Sequence, residues 1–113
     1  IFKMESDGSG YRKIFEFGEK SMNAYYPRGP LILATNGLLY GASEGGSNQM
    51  GTVFSINTDG TGFNKLIDFD GVNKGSLPSG ALFQSNDGDL FGVTEQGGSS
   101  LYGGVLYKLS LDG

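Results

Sequence analysis

The sequence predicts an all-β chain assembled from a repeated four-stranded unit, and three observations predict it. A block of about 52 residues occurs slightly more than twice. Short segments of alternating apolar and polar residues are separated by Asp-Gly and Gly-Gly pairs, the residues tight hairpins need. There are four alanines among 113 residues and no apolar stripe with a helical period.

The repeat aligns residue by residue. Phe2-Lys3-Met4-Glu5-Ser6-Asp7-Gly8-Ser9-Gly10-Tyr11 returns 52 positions later as Phe54-Ser55-Ile56-Asn57-Thr58-Asp59-Gly60-Thr61-Gly62-Phe63. Ile14-Phe15-Glu16-Phe17 returns as Leu66-Ile67-Asp68-Phe69 at the same offset. Pro27-Arg28-Gly29 becomes Pro78-Ser79-Gly80, and Gly37-Leu38-Leu39-Tyr40-Gly41 becomes Gly88-Asp89-Leu90-Phe91-Gly92, both after 51 residues. A third copy begins at Gly104-Val105-Leu106-Tyr107-Lys108 and reaches Asp112-Gly113.

Each unit then resolves into strands in order. The chain opens inside a strand, Ile1-Phe2-Lys3-Met4, and closes on Leu111-Asp112-Gly113, half a turn motif; it reads as a piece cut from something longer. Tyr11, Phe15 and Phe17 alternate along the next segment. Their counterparts Phe63, Ile67 and Phe69 do so over 63–69, and Phe54 and Ile56 share one face of 52–57. Segments 80–85, 90–95 and 104–110 complete the series. Gly41 and Gly92 fall mid-strand, where another backbone is expected to approach closely.

Four antiparallel strands repeating at this period match β-propeller blades, sheets with two apolar faces that are stable only when stacked. A β-solenoid is the rival, with shorter rungs and fewer paired hairpins. The longest strandless stretches, 18–28 and 70–79, read as crossovers between blades. The expected division is a partial blade at 1–17, a full blade at 29–69 and a partial blade at 80–113, a segment of one partial propeller. The nine strands would then run third, outer, inner, second, third, outer, inner, second, third. Phe15, Phe17, Phe54, Phe69 and Phe91 are assigned to the core between blades. Because the smallest propellers need about four blades, closure requires further repeats of the same chain or self-association.

Composition excludes several functions. Without cysteine there is no disulfide framework or thiol nucleophile, and without histidine the commonest metal ligand and general base are missing. The net charge of −4 comes from 12 acidic and 8 basic residues, scattered with no basic stripe for nucleic acid. No apolar run approaches the ~18 residues of a membrane-spanning helix. Leu, Ile, Val and Phe number 29, enough for a core.

Gly51-Thr52-Val53-Phe54, Asp59-Gly60-Thr61, Pro78-Ser79-Gly80-Ala81-Leu82, Asp87-Gly88-Asp89-Leu90-Phe91-Gly92-Val93-Thr94 and Gly97-Gly98 carry a combined pattern. It resembles the GloVer tandem repeat, the Gloeobacter/Verrucomicrobia type, over essentially the whole chain. The first unit departs at Asn36-Gly37 and Ala42-Ser43. The resemblance implies a propeller-like architecture and a secreted or surface-anchored bacterial protein. It assigns no catalytic residue.

Candidate sites are few. Asp7, Asp59, Asp87 and Asp89 offer hard oxygens, yet each turn holds one or two acids where calcium wants six to eight ligands, so hairpin turns explain them and no metal or cofactor is expected. Glu44 and Glu95 recur before Gly-Gly loops, and paired carboxylates can cleave glycosidic bonds. Repeat symmetry explains the recurrence without chemistry, so no catalytic residue is assigned. Tyr25, Tyr26 and Arg28 in one crossover and Tyr102 in a Gly-Gly loop are the candidate ligand-binding residues, since exposed Tyr and Arg dominate binding hot spots and Tyr stacks on sugars. Crossovers and the second-to-third-strand loops are expected on one side of the disc, Asp-Gly hairpins on the other. Tyr25 or Tyr26 tucked between blades is the competing reading.

The expected function is a non-catalytic extracellular scaffold for protein binding or surface display. A lectin-like propeller is the alternative, and a larger secreted enzyme with its active site outside this segment is the second. The ligand, protein or glycan, is not specified by the sequence.

Overall fold

Five copies of one tight turn set the architecture. In each, the amide of a glycine at positive φ donates to the carbonyl three residues earlier: Gly8 to Glu5, Gly37 to Ala34, Gly60 to Asn57, Gly88 to Ser85 and Gly113 to Ser110, at 2.9–3.1 Å. A residue with a Cβ is strained in that conformation, so glycine fixes where the chain reverses.

The computed structural model describes residues 1–18, 24–100 and 102–113. They form nine strands: β1 (Phe2–Lys3), β2 (Arg12–Lys13), β3 (Pro27–Leu33), β4 (Leu39–Ser43), β5 (Thr52–Ile56), β6 (Asn64–Asp68), β7 (Ser76–Gln84), β8 (Leu90–Gln96) and β9 (Leu106–Leu109). No helix occurs among the described residues. Strands pair in chain order within three sheets, β1-β2, β3-β4-β5-β6 and β7-β8-β9. Every pairing is antiparallel, unlike the parallel rungs of a solenoid. The chain is all-β with antiparallel sheets, and the described residues close into neither a barrel nor a ring.

The chain changes sheets between Lys13 and Pro27 and between Asp68 and Ser76. Part of the first stretch read as a crossover, 19–23, lies outside the described residues. Two strands begin earlier than expected: β3 starts at Pro27 instead of Gly29, and β7 at Ser76 instead of Gly80. The neighbouring strand is the cause. Ser43 reaches back to Pro27 and Gln96 to Ser76, with a bulge after Arg28 and after Ser79 absorbing the extra residues.

The main core lies between the second and third sheets. Tyr40, Val53, Phe69 and Ala34 meet Leu82, Leu90 and Leu109 there, all buried. Tyr40 places its hydroxyl usefully, donating to the Leu111 carbonyl at 2.8 Å and accepting from the Asn36 side-chain amide at 2.8 Å. Between the first and second sheets the packing is aromatic. Phe15 stacks on Phe63 at 5.0 Å, and Phe17 meets Phe54 edge-on at 5.3 Å.

Of the five phenylalanines assigned to the core, only Phe54 and Phe69 are fully buried. Phe15 and Phe17 are half-buried, because the first sheet has two strands and covers them incompletely. Phe91 is half-buried on the face of the third sheet that points away from the second. The mid-strand glycines also differ from expectation. A side chain, not a backbone, closes over each one: a Cβ at Gly41 would lie 2.6 Å from Leu31 and 2.8 Å from the Phe54 ring. At Gly92 the equivalent Tyr107 ring and Leu82 occupy that space. Gly41 and Phe54, like Gly92 and Tyr107, are direct cross-strand partners, so the ring lies across the glycine.

Candidate functional site

One end of the sheets gathers the loops. The segment entering β3 and the β4–β5 loop are tied by backbone bonds, from the Gly45 amide to the Tyr25 carbonyl at 3.0 Å and from Glu44 to Tyr26 at 3.1 Å. In the next unit the Gly98 amide of the β8–β9 loop donates to Val72 before β7 at 2.8 Å, and the Leu77 amide reaches back to Met50 in the β4–β5 loop at 2.9 Å. The stretches read as crossovers and the second-to-third-strand loops therefore share a side. The Asp-Gly hairpins sit at the other ends of the strands.

At this edge Tyr25 and Tyr26 meet edge-on, with ring centroids 5.3 Å apart. Tyr25 is half-buried and packs over Gly45, where a Cβ would lie 2.6 Å from the Tyr25 amide nitrogen. Tyr26 is 68 % exposed. So one ring packs and the other faces solvent. The backbone here is strained: Tyr26 adopts φ 51° and its repeat counterpart Leu77 adopts φ 56°. A side chain in the left-handed region costs about 1–2 kcal/mol, and both residues precede a proline that further restricts them. Such strain is held only where surrounding structure enforces it.

Tyr26, Pro27, Arg28 and Glu44 line an open hollow of about 430 Å³. Arg28 Nη2 lies 2.7 Å from Glu44 Oε1, and the arginine side chain is 60 % exposed, so the pair contributes orientation more than stability. Arg28 and Glu44 also border a second, polar cleft of about 310 Å³ that reaches Ser79 and Glu95 of the next sheet. Ser79 holds the position that Arg28 holds one unit earlier. The two glutamates therefore face one arginine.

The structure thus brings Tyr25, Tyr26 and Arg28 together and adds Glu44, whose recurrence before a Gly-Gly loop repeat symmetry explains without chemistry. Tyr102 lies apart. It is 90 % exposed in the β8–β9 loop and lines neither hollow. Pairing of Glu44 with Arg28 had no local signal, since sixteen residues separate them; only their register across β3 and β4 joins them.

The acidic turns satisfy themselves. Asp59 accepts from both the amide and the hydroxyl of Thr61, at 2.9 and 2.7 Å, and Asp7 does the same with Ser9. These bonds hold both carboxyls below their usual range. Asp89 pairs with Lys108 at 2.6 Å. Among the described residues no group of three or more His, Cys, Asp or Glu converges as a metal site, and no helix is long and apolar enough to cross a membrane.

No curated protein and no solved structure matches the chain. A family model does: the Gloeobacter/Verrucomicrobia repeat spans residues 1–113, and the chain belongs to that repeat family.

Proposed function

We propose that this chain is a run of β-propeller blades serving as a non-catalytic extracellular scaffold, with the edge carrying Tyr26 and Arg28 as its binding surface. The carrying observation is the repetition of one sheet-to-sheet contact. Phe17 meets Phe54 edge-on at 5.3 Å, and their repeat counterparts Phe69 and Tyr107 meet edge-on at 5.1 Å. Sheets stacked by the same operation each time form a propeller when extended. In such an arrangement the crossovers and the second-to-third-strand loops of every unit line one side of the disc, and loops held on a rigid scaffold are where binding residues concentrate. The extracellular placement is what the resemblance to the repeat implies, and a cysteine-free chain is compatible with bacterial export.

Exposed Tyr beside an Arg–Glu pair also favours a lectin-like reading, since a ring can stack on a sugar while the charged pair bonds its hydroxyls. A glycan array together with binding assays against purified bacterial surface proteins separates the two. Protein binding that is lost in Tyr26→Ala and Arg28→Ala, with unchanged melting temperature, supports the scaffold. Glycan binding lost in the same variants supports the lectin. Binding of either kind that survives both substitutions removes the proposed surface.

A further inference from the structure

Four of the five glycine turns have aspartate before the glycine, at Asp7, Asp59, Asp87 and Asp112; the fifth has Asn36. The hydrogen bonds give the reason. Asn36 Oδ1 accepts from the Leu38 amide at 3.1 Å, as Asp7 and Asp59 accept from the amides two residues on. The other end of its side chain does what a carboxylate cannot. Asn36 Nδ2 donates to the Tyr40 hydroxyl at 2.8 Å, which leaves that hydroxyl free to donate to the Leu111 carbonyl, beyond β9. One unit on, the corresponding pair is Asp87 and Phe91, an acid and a ring without a hydroxyl. Asparagine accompanies tyrosine, and aspartate accompanies phenylalanine.

This turn is also a contact between sheets. Gln84, at the end of β7, accepts from the Thr35 amide at 2.9 Å and donates to the Thr35 hydroxyl at 3.1 Å. Gln84 and Tyr40 therefore tie the β3–β4 turn to the third sheet from two sides. Yet Asn36 and Gly37 are themselves exposed, and nothing lies within 4 Å of where a Gly37 Cβ would be. Asn36 is the one asparagine of the chain that precedes glycine. After every other asparagine a side chain crowds the next peptide nitrogen; glycine leaves it open, which makes this pair the chemically labile one.

We propose that Asn36 is a site of spontaneous deamidation, held back in the folded chain by Tyr40, and that its products loosen the second sheet from the third. The reaction needs only water. The Gly37 amide nitrogen gives up its proton to hydroxide and bonds to Asn36 Cγ, while the side-chain nitrogen takes a proton from water and leaves as ammonia. Water then opens the cyclic imide at either carbonyl, giving aspartate or, with the chain rerouted through the side chain, isoaspartate. Both reacting groups are restrained while the turn is closed. Leu38 and Tyr40 hold the side chain, and the Gly37 N–H donates to the Ala34 carbonyl at 2.9 Å. Aspartate at 36 puts an oxygen where Tyr40 had a donor, so the hydroxyl turns to it and the Leu111 carbonyl loses its partner. Isoaspartate lengthens the backbone of a turn that fixes the β3–β4 register.

Incubating the folded chain in mildly alkaline buffer, with peptide mass spectrometry locating each amide-to-acid mass gain, tests this. Asn36 should convert ahead of every other asparagine and yield both aspartate and isoaspartate. Tyr40→Phe, at a temperature where circular dichroism shows it folded, should convert several-fold faster at that position. Asn36 intact while other asparagines convert, or equal rates in the wild type and Tyr40→Phe, overturns the proposal. If Tyr40→Phe does not fold, the wild type unfolded in urea is the faster reference, and native conversion that is no slower overturns it. The effect of the product is read from Asn36→Asp, which should melt below the wild type. Adding Tyr40→Phe recreates the Asp87–Phe91 combination, so the double variant should lose less than the two single losses combined. An Asn36→Asp chain that melts like the wild type, or strictly additive losses, overturns the proposed loosening. Tyr26 and Arg28 are untouched throughout, so this result is independent of the proposed binding surface.

Discussion

Phe69 presents its ring edge-on to Tyr107 across the gap between the second and third sheets, with centroids 5.1 Å apart and planes at 63°. One repeat earlier, Phe17 and Phe54 hold the same relationship across the first gap, at 5.3 Å and 70°. Two independent gaps closed by equivalent residues in nearly equal geometry mean that the repeat encodes a relation between sheets as well as a sheet. The aromatic that follows β2 meets β5 of the next sheet, and the one that follows β6 meets β9. Edge-to-face pairs add about 0.5–1.5 kcal/mol to the area they bury.

Removing these aromatics should therefore have unequal effects. Phe69 is fully buried, and Phe69→Ala is expected to cost about 3–5 kcal/mol. Phe17 is half-buried, so Phe17→Ala should cost clearly less. Urea denaturation of both variants checks the order. Equal losses would mean that the second and third sheets are not held by this contact.

Gly8 and Gly60 occupy the same turn position in successive units, with φ 85° and 92°. An alanine at either is strained by about 1–2 kcal/mol. Space distinguishes them: Gly8 has nothing within 4 Å of an added Cβ, whereas at Gly60 that Cβ would overlap the carbonyl oxygen of Ile14, just after β2. Gly60→Ala should consequently lose roughly 1–3 kcal/mol more than Gly8→Ala, as overpacking does. Thermal melts of the two variants provide the comparison.

These residues also mark what the sequence could and could not convey. Asp-Gly and Asn-Gly turns announce hairpins locally, so the strand order and the positions of the sheet changes were legible. The early starts of β3 and β7 were not, because Ser43 and Gln96 on neighbouring strands decide them. Positive φ at Tyr26 and Leu77 was hidden for a similar reason. Neither residue type favours it, and only the repeat alignment links the two. Exposure of Phe91 depends on which face of its sheet has a neighbour, a fact absent from any single strand. At the candidate edge, Tyr26 and Arg28 were legible as residue types, but Glu44 joined them only through register.

Gly41 and Gly92 isolate packing from backbone strain, since neither has positive φ. In Gly41→Ala the new methyl meets Phe54 and Leu31, and a loss of about 1–3 kcal/mol is expected. Trimming the ring in Phe54→Leu should make room, so the double variant should lose less than the two single losses combined. A double-mutant cycle by denaturant unfolding measures the coupling. Simple additivity would show that the ring does not lie across the glycine.

Tyr26→Gly sets stability against the proposed binding surface. It relieves the left-handed strain, about 1–2 kcal/mol, while glycine gives back roughly 0.5–1 kcal/mol in chain entropy. The variant should melt at or slightly above the wild-type temperature and bind its ligand more weakly. A marked drop in melting temperature would mean that the exposed ring supports the fold instead.

Tyr107 links the interface to pH. Burial beside Phe69 and Gly92 pushes its phenol up to about 12, against the ordinary value of 10.0. The raised value means that the folded chain favours the neutral phenol, whereas the unfolded chain ionises it near the ordinary value. Stability from this group is therefore complete below pH 10.0 and is lost progressively as the pH rises towards about 12. Tyr107→Phe keeps the ring contact with Phe69 and removes the ionisation, so over that alkaline window it should lose less stability than the wild type. Denaturant unfolding of both proteins across the range, with phenolate absorbance followed in parallel, compares them. Parallel stability curves would show that Tyr107 is no more buried than an ordinary surface tyrosine.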